Sequence, residues 1–263
     1  MEYEWTEENA GAPVLRPGAV VLSSFPSAGL ATTVAGHYII RALKLPRIGR
    51  FESPDLAPVA VVQGGEVHPT IRVYGRSDLG LVLSEFPPTP NQANAIARTI
   101  LDGAKARKAR MILCLEGIVP HPGDGAGAAT EEADDGGQVW SAGSKVDPDL
   151  RKMFEAAGAL TLEDGVIGGV SGALLVQGLG REIPVVTLLV TARVAEGLPD
   201  HRAGAALIET LDRLLPELKI DTQPLRQQAE QIEKALRAAL KSHAVGVEET
   251  GPGAPAPAAD MYR

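Results

Sequence analysis

Short apolar runs and helically spaced apolar positions alternate along most of this chain. Ala19 to Ser23 reads as a short buried strand. Ser27 to Leu43 reads as a helix, with Leu30, Val34, Tyr38 and Leu43 at helical spacing. Ser27 is its expected N-cap, and Pro46 stops any continuation. The β-branched run from Val59 to Gln63 reads as a strand, Gly64-Gly65 as a turn, and Val67 to Tyr74 as a returning arm. Pro69 then has to sit at an edge or at a strand's start. Leu79 to Ser84 is a further strand. A helix is predicted from Pro90 to Arg107, with Ala93, Ile96, Ala97, Ile100 and Leu101 on one face. Strands follow at Met111 to Leu115, near Val139-Trp140 and at Val185 to Val190. Helices are predicted from Asp147 to Ala157 and over 202–215, and the glycine-rich Gly165 to Gly172 leads into a helical Ala173 to Gly178.

The last helix has the plainest pattern. Thr222 is its expected cap, Pro224 lies in its first turn, and Leu225, Ala229, Ile232, Leu236 and Ala239 recur at spacings of four and three. Glu230–Lys234 and Glu233–Arg237 add four-residue ion pairs, and the helix is expected to end near Ser242-His243. Its apolar seam suits either a second subunit or the protein's own sheet.

Strands that read as apolar runs, separated by helices, imply an α/β fold with a mainly parallel sheet covered on both faces. The hairpin-like stretch at 59–84 makes part of that sheet antiparallel. Residues 121–138, rich in Gly, Ala, Asp and Glu, have nothing to bury and read as a flexible acidic insertion. The expected organisation is an irregular N-terminal arm over 1–17, a single α/β domain over 18–243, and a disordered C-terminal tail over 244–263.

Composition narrows the function classes. With 263 residues and 44% hydrophobic content, the chain has a substantial core, and 4% aromatics make that core aliphatic. A formal charge of −8 and the lack of a dense Lys/Arg cluster argue against a nucleic-acid partner. The acidic start, Met1 to Glu8, is not expected to be a signal peptide, and runs such as Met111 to Val119 and Pro184 to Ala192 are too short to cross a bilayer. Cys114 is the only cysteine, so no intramolecular disulfide forms and a reducing compartment, the cytoplasm, is expected.

Candidate chemistry is sparse. Gly165-Val166-Ile167-Gly168-Gly169-Val170-Ser171-Gly172 offers either backbone N–H groups for an anion or close backbone packing. A nucleophile elbow would need glycine at position 173, which is Ala173. Phe25-Pro26-Ser27-Ala28-Gly29-Leu30 lies at a strand-to-helix junction and reads either as a ligand-holding turn or as a tight turn with a capped helix. Glu85, in Ser84-Glu85-Phe86-Pro87, either enters a crevice or is solvated or paired. His37, His68, His121, His201 and His243 show no metal-ligand spacing, and neither does the acidic run Glu131 to Asp135. No metal, cofactor or catalytic residue is expected. Cys114 reads as a core thiol.

The chain ends in Met261-Tyr262-Arg263 after a Pro/Gly/Ala-rich stretch that cannot pack. Over about 20 residues from Ala244, such a tether spans about 25 Å on average and roughly 65–70 Å when extended. A hydrophobe-Tyr-any ending is the signature with which proteasome activators and assembly chaperones dock between subunits of the proteasome's outer ring; a free carboxylate on Arg263 is part of it.

The body carries a matching resemblance. Phe25 to Leu30, Pro54 to Val59, Ile71 to Gly75, Ser84 to Pro87, Glu163 to Ile167, Gly169 to Leu175 and Ile220 to Thr222 occur in an order that resembles the proteasome assembly chaperone 2 family. The resemblance covers about residues 18 to 240. It implies a three-layer α/β sandwich, similar to nucleoside phosphorylases, that forms homo-oligomers and binds the 20S proteasome α-ring through Met261, Tyr262 and Arg263. The competing expectation is a small-molecule or nucleotide-binding enzyme on a phosphorylase-like fold, using 25–30, 165–172 and Glu85. A third is an oligomeric scaffold with a different partner.

Overall fold

A computed structural model describes residues 2–8, 14–119, 137–145, 147–194, 198–232 and 234. In chain order the elements begin with β1 (Glu4–Glu7), β2 (Val20–Ser24), α1 (Ala31–Ala42) and β3 (Arg47–Glu52). Then come β4 (Val61–Gln63), β5 (Glu66–His68), β6 (Ile71–Arg76), β7 (Leu79–Ser84), α2 (Pro90–Ala106) and β8 (Met111–Ile118). The second half contains β9 (Val139–Gly143), α3 (Pro148–Ala156), β10 (Ala159–Thr161), α4 (Gly169–Gly178), β11 (Val185–Thr191) and α5 (His201–Leu214). A last helix, α6, spans 223–232.

Nine strands form one mixed sheet, ordered β1-β3-β6-β7-β2-β8-β11-β9-β10. Strands β7, β2, β8 and β11 run parallel at its centre, where helical crossovers connect them. Antiparallel pairing adds β6, β3 and β1 on one side and β9 on the other, and β10 pairs parallel to β9. Successive side chains of the central strands point to opposite faces. Leu22, Leu81, Leu113 and Leu188 face a core closed by Ile39 of α1, Phe154 of α3 and Leu207 of α5. Val21, Val82 and Ile112 face a second core closed by Ile96 and Ile100 of α2 and Leu174 of α4. The result is a three-layer sandwich. Each fully buried Leu or Ile stabilises it by about 1.5–3 kcal/mol.

Local signals fix the helix starts. Thr89 and Gln92 exchange side-chain and backbone bonds in a capping box before α2. Asp147 Oδ1 accepts from the Leu150 N–H at 2.8 Å before α3, and Asp200 Oδ1 accepts from the N–H groups of Arg202 and Ala203 before α5.

Several expectations are corrected. The stretch 1–17 was expected to be irregular, but Glu4 to Glu7 form an edge strand that pairs with β3. Trp5 anchors it: its ring lies 5.8 Å from that of Phe51, and a Cβ at Gly103 would lie 2.3 Å from it. Strand β3 itself follows Pro46, where its polar and glycine positions hid it from a periodicity reading. The predicted arm from Val67 to Tyr74 breaks at Pro69-Thr70 into β5 and β6, because proline lacks the N–H that a continuous ladder needs. Strands β4 and β5 form a small separate sheet. The first helix starts at Ala31 and not at Ser27, since Gly29 and Leu30 are both left-handed, at φ 60° and 52°. Of the acidic insertion expected over 121–138, residues 121–136 lie outside the described residues, as does everything after 234, whereas the Gln138 carbonyl accepts the Thr191 N–H at 3.2 Å at the start of β9. Among the described residues, no helix is long and apolar enough to cross a membrane.

Candidate functional site

The predicted site residues Met261, Tyr262 and Arg263 lie outside the described residues. What is described is the root from which their segment leaves. Helix α6 buries Leu225 and Ala229 against the protein's own body, and Leu225 joins the α1/α5 core. Thr222, the expected cap, turns its hydroxyl to Glu209 Oε1 at 2.9 Å, and Asp221 Oδ1 takes the Gln223 N–H at 3.0 Å. Arg226 grips Glu209 with two hydrogen bonds of 2.5 Å, which hold that carboxyl below its usual value. Tyr38 of α1 donates to the Asp221 carbonyl at 2.6 Å. The seam of α6 is therefore spent on its own domain at least as far as Ala229.

The junction at 25–30 is closed. The Ser27 hydroxyl accepts the Gly117 N–H at 2.8 Å and lies 3.1 Å from Thr32 Oγ1, so it ties β8 to α1 and caps no helix. A Cβ at Gly29 would meet the Arg193 carbonyl at 2.6 Å, and one at Gly117 would meet the Ala28 carbonyl at 2.4 Å. The glycines serve close backbone approach.

The glycine-rich segment opens α4, four residues earlier than predicted. Ser171 donates to Glu116 Oε2 at 2.7 Å. Burial pushes the Glu116 carboxyl up to about 7, and the Ser171 bond pulls it back. A Cβ at Gly172 would meet the Ile167 carbonyl at 2.2 Å. Glu116 and Gly117 are consecutive on β8 and point to opposite faces, the first to Ser171 and the second to Ser27. Ser27 and Ser171 thus meet neighbouring residues of β8 from opposite faces, while Phe25 is buried in the same core as Val170. Glu85 joins neither. It pairs with Arg72 and lies 3.0 Å from His37 Nε2.

The other sequence candidates are dispersed too. His68 Nδ1 lies 2.7 Å from Arg47 Nη1, and His201 Nδ1 lies 3.0 Å from the Pro199 carbonyl. Cys114 is buried, and burial raises its thiol to about 12. Among the described residues, no group of three or more His, Cys, Asp or Glu could hold a metal ion.

With that geometry in hand, the model of the PAC2 family matches residues 21–240. The chain belongs to the PAC2 family. An uncharacterized protein of Methanocaldococcus jannaschii is 27% identical over 226 residues, which cover 85% of this chain and 86% of that one. A crystal structure of Pyrococcus furiosus PbaA, described as an archaeal homolog of proteasome-assembly chaperone, superposes with a TM-score of 0.77 at 23% identity. That match covers 95% of this chain and 96% of the other. Pyrococcus furiosus PbaB, described as an archaeal proteasome activator, gives a TM-score of 0.70 at 20% identity over 90% of this chain and 98% of its own.

Two features of this PAC2 domain escaped the sequence reading. Arg72 is fully buried on β6 beneath Glu85. Burial would raise the Glu85 carboxyl, but His37 and Arg72 bring it below its usual value. A lone arginine inside the apolar Ile71-Arg72-Val73 was the available signal, since a buried charge requires a partner. The second is a cavity of about 340 Å³ beside the end of α2, lined by Leu101, Lys105, Gly180, Arg181, Glu182 and Ile183. Its residues come from segments 80 positions apart, which no local pattern joins.

Proposed function

We propose that this PAC2 protein is a non-enzymatic proteasome-binding or assembly chaperone of the cytoplasm. In this reading a homo-oligomer docks its Met261-Tyr262-Arg263 tails into pockets of the 20S proteasome α-ring. The observation that carries the reading is the PAC2 match over 21–240 in a chain whose sequence then continues into a hydrophobe-Tyr-any ending. The proteasome-related descriptions of PbaA and PbaB support it.

The mechanism follows from the tether. Helix α6 fixes one end of the tail segment to the body, and the Pro/Gly/Ala-rich stretch gives it reach without a rigid match to the ring. In a pocket, Met261 buries apolar surface, Tyr262 adds ring burial and a hydroxyl hydrogen bond, and the terminal carboxylate pairs with a cation. A single tail binds weakly because ordering it costs entropy. Several tails on one oligomer raise the avidity through effective concentration, by about 10²–10⁴. The closed junction at 25–30 favours this reading over a small-molecule enzyme.

The side chains of the tail test it in binding assays on an isolated α-ring. Tyr262→Ala should abolish most of the binding, whereas Arg263→Ala, which keeps the terminal carboxylate, should change it little. Equal loss from both, or from neither, contradicts the assigned roles.

A further inference from the structure

We propose that the β4–β5 hairpin is a pH-released flap, latched to the body by neutral His68 and freed when that histidine is protonated. The hairpin has little else to hold it. From Ala57 to Val67 every residue except Val61 is exposed. The register pairs Val61 with His68 and Val62 with Val67. The second pair faces solvent, with Val62 64% and Val67 71% exposed, so it adds no apolar burial. The first pair faces the body, and both of its members are half-buried. A lone two-stranded hairpin is marginally stable in water. Among the described residues, its one hydrogen bond to the body joins His68 Nδ1 and Arg47 Nη1 at 2.7 Å.

That bond fixes the state of the imidazole. An arginine is always protonated and only donates, so His68 Nδ1 accepts and carries no proton. A protonated imidazole donates from both nitrogens. It would lose the bond and set a second cation against the guanidinium. The charged groups around the contact do not relieve this. Glu8 is shared by Arg47 and Arg50 of β3, and Glu52 also pairs with Arg50. On β6, Tyr74 stands opposite Arg47 and Arg72 opposite Arg50, and Arg72 pairs with Glu85. Glu66 shares the His68 face of β5 but is exposed, where water weakens its field. Histidine is the side chain that ordinarily changes charge between about pH 5 and 8. The latch is therefore closed while His68 is neutral and opens as pH falls through that window.

Both ends of the flap are anchored, which sets what moves. Leu56 packs against the α2/α4 core, and Gln92 Nε2 donates to the Asp55 carbonyl at 2.6 Å. At the other end Thr70 is buried just before β6, and Pro69 interrupts the ladder between β5 and β6. Release swings residues 57–69 between these anchors and leaves the nine-stranded sheet in place. It also opens the Arg47 guanidinium to another acceptor.

Amide hydrogen exchange on the full chain, at about pH 8 and about pH 5.5 and corrected for intrinsic rates, tests this. Protection of the β4–β5 amides should fall about tenfold or more at the lower pH, as loss of a hydrogen bond to a charged group gives, while β2 and β8 hold. His68→Gln keeps an acceptor and cannot titrate, so its hairpin should show no difference between the two pH values. Arg47→Met removes the donor, and its hairpin should exchange fast at both. Hairpin protection that ignores pH in the unaltered chain overturns the proposal. So does an equal fall in His68→Gln, which would assign the response to another group, such as His37 beside Glu85. An Arg47→Met chain whose hairpin stays protected at the higher pH overturns it as well.

Discussion

Glu116 is the residue whose environment makes the sharpest solution prediction. Its carboxyl is raised from an ordinary 4.5 to about 7, chiefly by burial. The folded state therefore holds this proton more tightly than the unfolded state does. Its contribution to stability is fully present below about pH 4.5 and is lost as pH rises through 7. Glu116→Gln should consequently raise Tm above pH 7, by an amount on the order of 1–2 kcal/mol after allowance for partial exposure, or roughly 2–8 °C. The gain should shrink to nothing towards pH 4.5. Thermal melts at several pH values check this, and uniform destabilisation at every pH would show that the Ser171 bond outweighs burial. Little of this was legible in the sequence. Glu116 sits in the apolar run Met111 to Val119, but its partner is 55 positions away, and only the fold brings Ser171 to it. Arg72 and Glu85 were hidden for the same reason, although Glu85 alone drew notice as a carboxylate at a strand end.

At the scale of elements, the two ends of the described chain depend on a few contacts each. Strand β1 is seated by Trp5 against Gly103, where a Cβ has no room. Gly103→Ala should cost about 1–3 kcal/mol and loosen β1, visible as faster amide exchange over residues 4–7 with the central strands unchanged. Unchanged exchange there would mean that Trp5 repacks freely. Helix α6 is seated by the Glu209–Arg226 pair and by Leu225. Glu209→Ala leaves Arg226 without that carboxylate and should speed exchange over 223–232, at a cost of about 1–3 kcal/mol. Equal protection in both proteins would place the hold on α6 in Leu225 and Ala229 alone. Elements with a strong period were legible: α2, α3, α5, β2, β7, β8 and β11 all fall within a few residues of their predicted spans. Those missed or misjudged lacked a local signature. Strand β1 depends on a distant glycine, β3 carries polar alternation, and α1 starts late because Leu30 adopts a left-handed conformation that no propensity foretells.

For the whole molecule, the apolar runs were enough to give a sheet covered on both faces, because parallel central strands must be buried twice over. The order of nine strands was not readable, since pairing such as β11 with β9 joins elements that two helices separate in sequence. The candidate site divides in the same way. The hydrophobe-Tyr-any ending is a local pattern and stands in the sequence for anyone to read. The cavity beside α2 exists only once α2 and the loop before β11 meet. The proposed function links the two scales, with a folded PAC2 body presenting copies of a short docking segment. Its most direct test compares the full chain with a chain ending at Asp260, immobilised in turn and titrated with an isolated proteasome α-ring at equal oligomer mass. The account predicts that removal of Met261-Tyr262-Arg263 lowers the affinity by 100-fold or more, as loss of every tail contact in a multivalent complex should. Undiminished binding by the shortened chain would contradict it.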